Sequence, residues 1–253
     1  MKTYKAGFGR TQNILNGNKP SKLGIVTPIL LRSGLNPTLN LLRILKSLDK
    51  NGFWVLEVAA EASLRNSLVG SSRCHYKTTY HRQGLSGVSQ VLNYIRTEFH
   101  VAMNIATLHK EVQTWIFYGE HSPLPMITAK LLGKTIVLVT AANPAKILEK
   151  VDRRHYYVGY TMSYVNFLLS QCLILYSPRL IDEWNLEKYR HKILIAHRHF
   201  LDFNTFTVTT PLPDRPPLIG YIGRLSGEKG VQHFAQALPA ILSDRQDLRV
   251  LIG

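Results

Sequence analysis

The chain has 253 residues, with 31 Lys plus Arg against 16 Asp plus Glu, a formal charge of +15 and 45% hydrophobic residues. That length holds one large domain or two ordinary ones, and the mix of apolar and charged residues excludes collagen, coiled coil and low-complexity disorder. The basic surplus predicts attraction to something anionic (a phosphate-bearing substrate, an acidic membrane surface or nucleic acid), and the two isolated cysteines, Cys74 and Cys172, offer neither a disulfide framework nor a zinc cluster and suit a reducing compartment.

Residues 1–22 are polar, basic and rich in Gly and Asn, and they lack the apolar core of a secretory signal. They read as a loosely ordered leader. Residues Leu23 to Leu31 form a short apolar run, the pattern of a strand buried on both faces, which breaks at Ser33-Gly34. Pro37 then opens a predicted helix whose apolar face is Leu41, Ile44, Leu45 and Leu48, stopped by Asn51-Gly52. Strands are predicted at Phe53 to Ala60 and Cys74 to His81.

From Val88 onward, Val91, Leu92, Ile95, Phe99, Ala102, Met103 and Ala106 keep helical spacing and predict a long helix with that face inward. Strands at Trp115 to Tyr118 and Ile136 to Thr140 flank a helix over Leu124 to Leu132 that ends at Gly133. A helix is predicted from Asn143-Pro144 to Gln171. The uncharged run from Tyr156 to Pro178 is too polar for a membrane span, so it reads as an aromatic-rich helix followed by a strand, Leu173 to Tyr176. A helix over Pro178 to Arg190 and a strand over Ile193 to Ala196 complete the series.

Short strands separated by helices predict an α/β, doubly wound, Rossmann-like domain over residues 23–202. Residues 203–217, with Pro211, Pro213, Pro216 and Pro217, read as a linker. The rhythm restarts in 218–253: strand Leu218 to Ile222, a loop Gly223 to Gly230, a helix kinked at Pro239, and strand Leu248 to Ile252. One such unit cannot cover both faces of its sheet, so the expectation is the start of a second, incomplete domain.

The segment Leu218 to Gly230, LIGYIGRLSGEKG, carries the chemistry. A strand runs into Gly223, the loop holds Arg224 and Lys229, and Gly230 opens a helix, so cations and backbone N–H groups converge at the positive end of a helix dipole. That pattern suits a diphosphate; a solvated Arg/Glu/Lys turn is the plainer alternative. It is neither a Walker A loop nor the Gly-x-Gly-x-x-Gly dinucleotide fingerprint.

The run from Gly220 to Gly253, GYIGRLSGEKGVQHFAQALPAIL followed by LRVLIG, closely resembles the opening of the second Rossmann domain of retaining glycosyltransferases of the GT-B fold, family 4. The resemblance implies an enzyme that moves a sugar from a nucleotide-diphosphate sugar to an acceptor with retention, with Arg224 and Lys229 on the donor diphosphate beside Gly223. It makes 23–202 the acceptor-side domain and places the family's Glu-x7-Glu element beyond Gly253, so that the 253-residue chain by itself is expected to be inactive. Within the first domain, Gly34 stands where the family has a Gly-Gly loop near the donor phosphate, with Ser33 a departure. Leu173 to Tyr189 resembles the family's strand, Ser177 and helix element. Asp202 and Phe206 match its crossover, whose Asn-Gly is absent. The histidine that family members often carry after the strand equivalent to Ile136 to Thr140 is replaced by Thr140-Ala141-Ala142; His121, after the preceding strand, is the nearest match to another polar position of the family's sugar site, with Glu120 an equal candidate and a helix N-terminal or surface histidine the alternative.

Nothing resembles an Asp-x-Asp metal site, and the ten histidines lack ligand spacing, so the expectation is no metal and no cofactor, with the nucleotide-sugar as co-substrate. Residues 1–50 hold nine Lys/Arg and one acidic residue, and Lys146, Lys150, Arg153 and Arg154 precede Tyr156, Tyr157 and Tyr160, a combination that suits an interfacial helix or, equally, a helix with its tyrosines packed inward. The expected partners are therefore the donor and an anionic membrane surface or lipid-linked acceptor, on the cytoplasmic side and peripheral to the inner face of the membrane. Two alternatives fit the same composition. One is another nucleotide-using Rossmann enzyme, an epimerase or dehydrogenase; the other is a basic nucleic-acid-binding protein, for which no recognition signature is present, so no nucleic acid is expected.

Overall fold

The computed structural model describes residues 22–30, 32–48, 52–60, 64, 74–119, 123–140, 153–196, 207, 209–223, 225 and 227–253. The chain divides into two compact units, Met1–Arg198 and His199–Gly253.

The first unit is a seven-stranded sheet in which every described pairing is parallel. In chain order its elements are β1 (Lys22–Leu30), α1 (Arg32–Leu48), β2 (Phe53–Ala59), β3 (Cys74–Tyr80), α2 (Gly87–Thr107), β4 (Val112–Tyr118), α3 (Pro123–Leu131), β5 (Thr135–Thr140), α4 (Arg153–Leu169), β6 (Cys172–Leu175), α5 (Arg179–Glu183) and β7 (Ile193–Ile195). The strand order is β3-β2-β1-β4-β5-β6-β7, the doubly wound arrangement expected of a Rossmann-like domain. Two cores follow from the period-2 alternation of strands buried on both faces. Ile25, Leu30, Phe53 and Val55 pack with Leu39 and Leu42 of α1 on one face. Val26, Leu56, Trp115, Phe117 and Leu138 pack with Val101, Ile105, Met126 and Phe167 of α2, α3 and α4 on the other.

At the sheet centre Gly24 of β1 is the register partner of Trp115 of β4. A Cβ on Gly24 would lie 2.4 Å from Cε3 of the indole, and Trp115 is fully buried. The ring occupies the space a side chain would need.

The structure departs from the periodicity reading at four places. No turn interrupts the chain at Ser33-Gly34, because α1 already begins at Arg32 and Gly34 lies in its first turn. The inward face of α1 is Thr38, Leu39 and Leu42, whereas Ile44 is exposed. The expected helix over Pro178 to Arg190 is two pieces: α5 ends at Glu183, Asn185 takes φ 54°, and a 3₁₀ turn runs from Glu187 to Lys192. An Asn tolerates the left-handed region that breaks the helix there.

The fourth departure concerns α2. Of the face expected inward, Val91, Leu92, Ile95, Phe99 and Met103 are exposed, and the buried side is Asn93, Thr97, Glu98, Val101, Ala102 and Ile105. A polar network sets this rotation. Thr97 Oγ1 donates to the Asn93 carbonyl at 2.8 Å, so its one hydrogen is used. The imidazole of His81, just past β3, therefore donates from Nδ1 to Thr97 Oγ1 at 3.0 Å. Asn93 Nδ2 donates to the Arg82 carbonyl at 3.1 Å. Buried polar groups need such partners, and β3 supplies them only to this side of the helix.

In the second unit β8 (Leu218–Tyr221) and β9 (Arg249–Ile252) form a parallel pair bridged by α6 (Val231–Asp244). Pro239 lies inside that helix. Of the proline-rich stretch, Leu212–Asp214 forms a short 3₁₀ turn, and 203–206 lie outside the described residues.

Two predictions follow from these contacts. Gly24→Ala should destabilise the first unit by about 1 to 3 kcal/mol, the usual cost of overpacking a closed core, read as a lower urea midpoint at unchanged slope. Burial lowers the pKa of His81 from its ordinary 6.5, so the folded chain binds fewer protons than the unfolded one. Its contribution to stability is fully present above pH 6.5 and is lost as pH falls through the lower folded value. His81→Gln should flatten that part of the stability–pH curve, measured by urea titration at a series of pH values.

Candidate functional site

In open parallel sheets ligands bind beyond the carboxyl ends of the strands where the winding reverses. Here the reversal lies between β1 and β4, since β1 leads through α1 to β2 on one side while β4 leads through α3 to β5 on the other.

β1 reaches this point with a defect that the sequence marks by Pro28. A central strand rarely tolerates proline, which has no N–H for the ladder. Between Val26 and Ile29 the strand carries one extra residue relative to β2, whose partners there are Leu56 and Val58. Thr27, fully buried, repairs the ladder: its Oγ1 accepts from Val58 N at 3.0 Å and donates to the Pro28 carbonyl at 3.0 Å. Bulges of this kind recur beside functional sites. Thr27-Pro28 was not among the residues singled out from sequence, although a proline inside an apolar strand run was the available signal.

Across the reversal, Gly119 ends β4 with φ 87°, its N–H donating to the Val139 carbonyl at 2.8 Å. A Cβ on it would sit 3.2 Å from Cβ of Pro28. Only glycine meets both conditions without strain. Glu120 and His121 come next and lie outside the described residues; the flanking Gly119 and Pro123 fix the ends of their loop at the carboxyl end of β4. Gly34, in the first turn of α1, stands on the other side of the reversal, one turn past the end of β1. The Gly34 and Glu120-His121 positions thus follow the two strands that bound the switch point.

The buried carboxylate of β2 is already engaged. Glu57 is fully buried and accepts from Leu64 N and from Thr78 Oγ1 at 2.9 Å, which ties residue 64 to the sheet. Burial pushes both the Cys74 and Cys172 thiols up, each in spite of a nearby lysine, so neither is a thiolate nucleophile. Among the described residues no group of three His, Cys, Asp or Glu side chains could hold a metal ion.

In the second unit Gly223 lies just past the end of β8 and Lys229 just before the start of α6. β8 ends at Tyr221; Gly223 N donates to the Gly253 carbonyl at 2.8 Å, and Gly253 N donates to the Tyr221 carbonyl at 3.0 Å. Residues Gly227–Lys229 make a 3₁₀ turn, and Gly230, with φ 71°, is the N-cap of α6. Gln232 Nε2 donates to the Gly227 carbonyl at 3.2 Å, closing the turn over the helix start. Lys229 and Gly223 are both exposed. Arg224, Asp202 and Phe206 lie outside the described residues.

No protein-family model and no curated protein matches the sequence. Solved structures do match. The complex of Phytolacca americana UGT2 with UDP-2fluoro-glucose and pterostilbene is similar at TM-score 0.56 and 14% identity, over 92% of this chain and 71% of that one. The S. aureus MnaA–UDP structure is similar at TM-score 0.51 and 11% identity, over 91% of this chain and 61% of that one. A candidate UDP-N-acetylglucosamine 2-epimerase from Listeria monocytogenes is similar at TM-score 0.53 and 9% identity, over 92% and 62%. The chain therefore spans about 61% of the length of the S. aureus protein. At these identities the likeness is one of fold, and it shows that the chain has the Rossmann-like α/β architecture of GT-B proteins.

Proposed function

We propose that the chain belongs to a nucleotide-sugar-dependent glycosyltransferase, with transfer proceeding with retention. The observation that carries this reading is the turn from Gly223 to Gly230. There a strand end, an exposed Lys229, a left-handed Gly230 and the first N–H groups of α6 stand together, with Arg224 in the same loop by sequence. A diphosphate seated there meets fixed dipoles and cations, and the charge that develops on it as the sugar leaves is stabilised without a metal. Support comes from the structural neighbours, two of which were solved with UDP or a UDP-sugar analogue.

In this reading Gly34 serves the donor phosphate and His121, with Glu120, serves the sugar, the roles that the resemblance implies for them. The acceptor is lipid-linked and met at the cytoplasmic face of the membrane, in keeping with the +15 charge. A nucleotide-sugar epimerase is the second reading, favoured by the likeness to the Listeria protein. Product analysis separates the two, since an epimerase returns a nucleotide-sugar and needs no acceptor.

Calorimetric titration with UDP, UDP-glucose and NAD tests the donor assignment. UDP and UDP-glucose should bind and NAD should not, because the turn lacks the dinucleotide glycines. Lys229→Ala should weaken UDP binding about 10- to 100-fold, the weight of one charge-assisted hydrogen bond, and should leave the urea midpoint nearly unchanged because the side chain is exposed. In a transfer assay with the complete enzyme, Arg224→Ala and Lys229→Ala should each cost roughly 10- to 1,000-fold. Tighter binding of NAD than of UDP, or unchanged UDP affinity in both variants, overturns the assignment.

A further inference from the structure

The rotation of α2 leaves a long apolar stripe in water. Val88 is 75% exposed, Leu92 61%, Ile95 55% and Phe99 55%, with Val91 and Met103 beside them. From Val88 to Met103 the stripe runs about 22 Å along the helix. It does not stand alone, because α2 packs against α3 and α3 against α4 on the same face of the sheet. On α3, Leu124, Ile127 and Leu131 are exposed, the last at 83%; on α4, Tyr157 and Tyr160 are more than half exposed. Contiguous exposed apolar surface of this extent marks an interaction site rather than ordinary solvent-facing surface.

The charges around the stripe identify its partner. Of the cations on the three helices, Arg96 and Lys130 are exposed, and their one acidic residue, Glu98, is buried on the inner side of α2. A second copy of the same face would set cation against cation. Exposed apolar residues on three helices that pack in series suit a broad surface more than a single inserted helix. No helix among the described residues is long and apolar enough to cross a membrane. Apolar side chains, flanking cations and tyrosines on neighbouring helices are the features of an interfacial surface.

We infer that the α2–α3–α4 face docks on an anionic phospholipid bilayer, with the stripe from Val88 to Met103 inserted at the headgroup level and Arg96 and Lys130 against lipid phosphates. This extends the membrane part of the proposed function to a defined surface, and its evidence is independent of the donor assignment. Sequence reading placed the interfacial element on the helix beginning near Asn143, of which 143–152 lie outside the described residues; the structure adds α2.

Vesicle flotation tests the inference. The chain should float with phosphatidylcholine–phosphatidylglycerol vesicles at low salt, less so at high salt as the Debye length shortens, and poorly with phosphatidylcholine alone. Leu92→Ser combined with Ile95→Ser and Phe99→Ser keeps every cation and should reduce binding at least about 10-fold, with an unchanged circular-dichroism melt and unchanged UDP binding. That last readout separates failure of the docking face from failure of the donor reading. Phe99→Trp in the otherwise native chain should be quenched by brominated lipid, which keeps the test available if the triple variant does not fold. Equal flotation of the folded triple variant, absence of quenching in Phe99→Trp, or a dimer in solution that the triple variant dissolves while neither form floats, overturns the inference.

Discussion

Gly24 under the indole of Trp115 is the contact on which the first unit turns. β1 and β4 are register partners at that point, and the ring fills the space where any larger residue of β1 would stand. The pairing joins the two halves of the sheet, β3-β2-β1 and β4-β5-β6-β7, and so it fixes where the winding reverses. Further along the same two strands, the Thr27-Pro28 bulge meets Gly119 at the carboxyl ends. A slip of one residue between β1 and β4 would turn the side chains of either strand to the opposite face, exchanging the two cores and moving the loops that bracket the reversal. The close approach at the sheet centre thus positions, a few residues on, the loops where a ligand is expected.

How much of this was legible in the sequence depended on which signal each element carried. The strands were legible because those buried on both faces write themselves as apolar runs, as in Leu23 to Leu30 and Thr135 to Thr140. The ends of α3 were legible because Gly133, at φ 68°, lets Lys134 N donate back to the Ala129 carbonyl. Helix rotation was not. Periodicity says that α2 has an apolar face, but the side that packs is chosen by His81 and the Arg82 carbonyl, which come from a different element. The same holds at α1, where Ile44 keeps the spacing yet faces water. At the candidate site, the glycines and cations of the Gly223 to Gly230 turn were readable as types in a pattern. The bulge at Thr27 was not sought, because its evidence is a hydrogen bond to a strand distant in sequence, Val58 N to Thr27 Oγ1.

The two units hold their loops by different means. In the first, loops leave a sheet packed on both faces, and side chains such as Glu57 anchor them. In the second, no residue of α6 is buried, and the segment before the helix is shaped by backbone instead: Gly223 to Gly253, Gly253 to Tyr221, Gly230 to Gly227. The ring contact between Tyr221 and Phe234, 5.6 Å between centroids, joins strand to helix directly.

The orientation of α2 balances two terms of similar size. Burying a large apolar side chain is worth about 1.5 to 3 kcal/mol in full, but the stripe residues are only half exposed, so turning the helix inward would recover a fraction of that for each. The same turn would pull Asn93 and Thr97 away from Arg82 and His81, and a buried polar group left unpaired costs about 1 to 3 kcal/mol. In water, therefore, the observed rotation is held by these hydrogen bonds together with the burial of Val101, Ala102 and Ile105. Contact of the stripe with lipid removes its exposure without disturbing the network, so the bilayer would add to the stability of the rotation already present. Binding would then require no rearrangement of α2, and the free energy of docking would appear as affinity instead of being consumed in reorganising the helix.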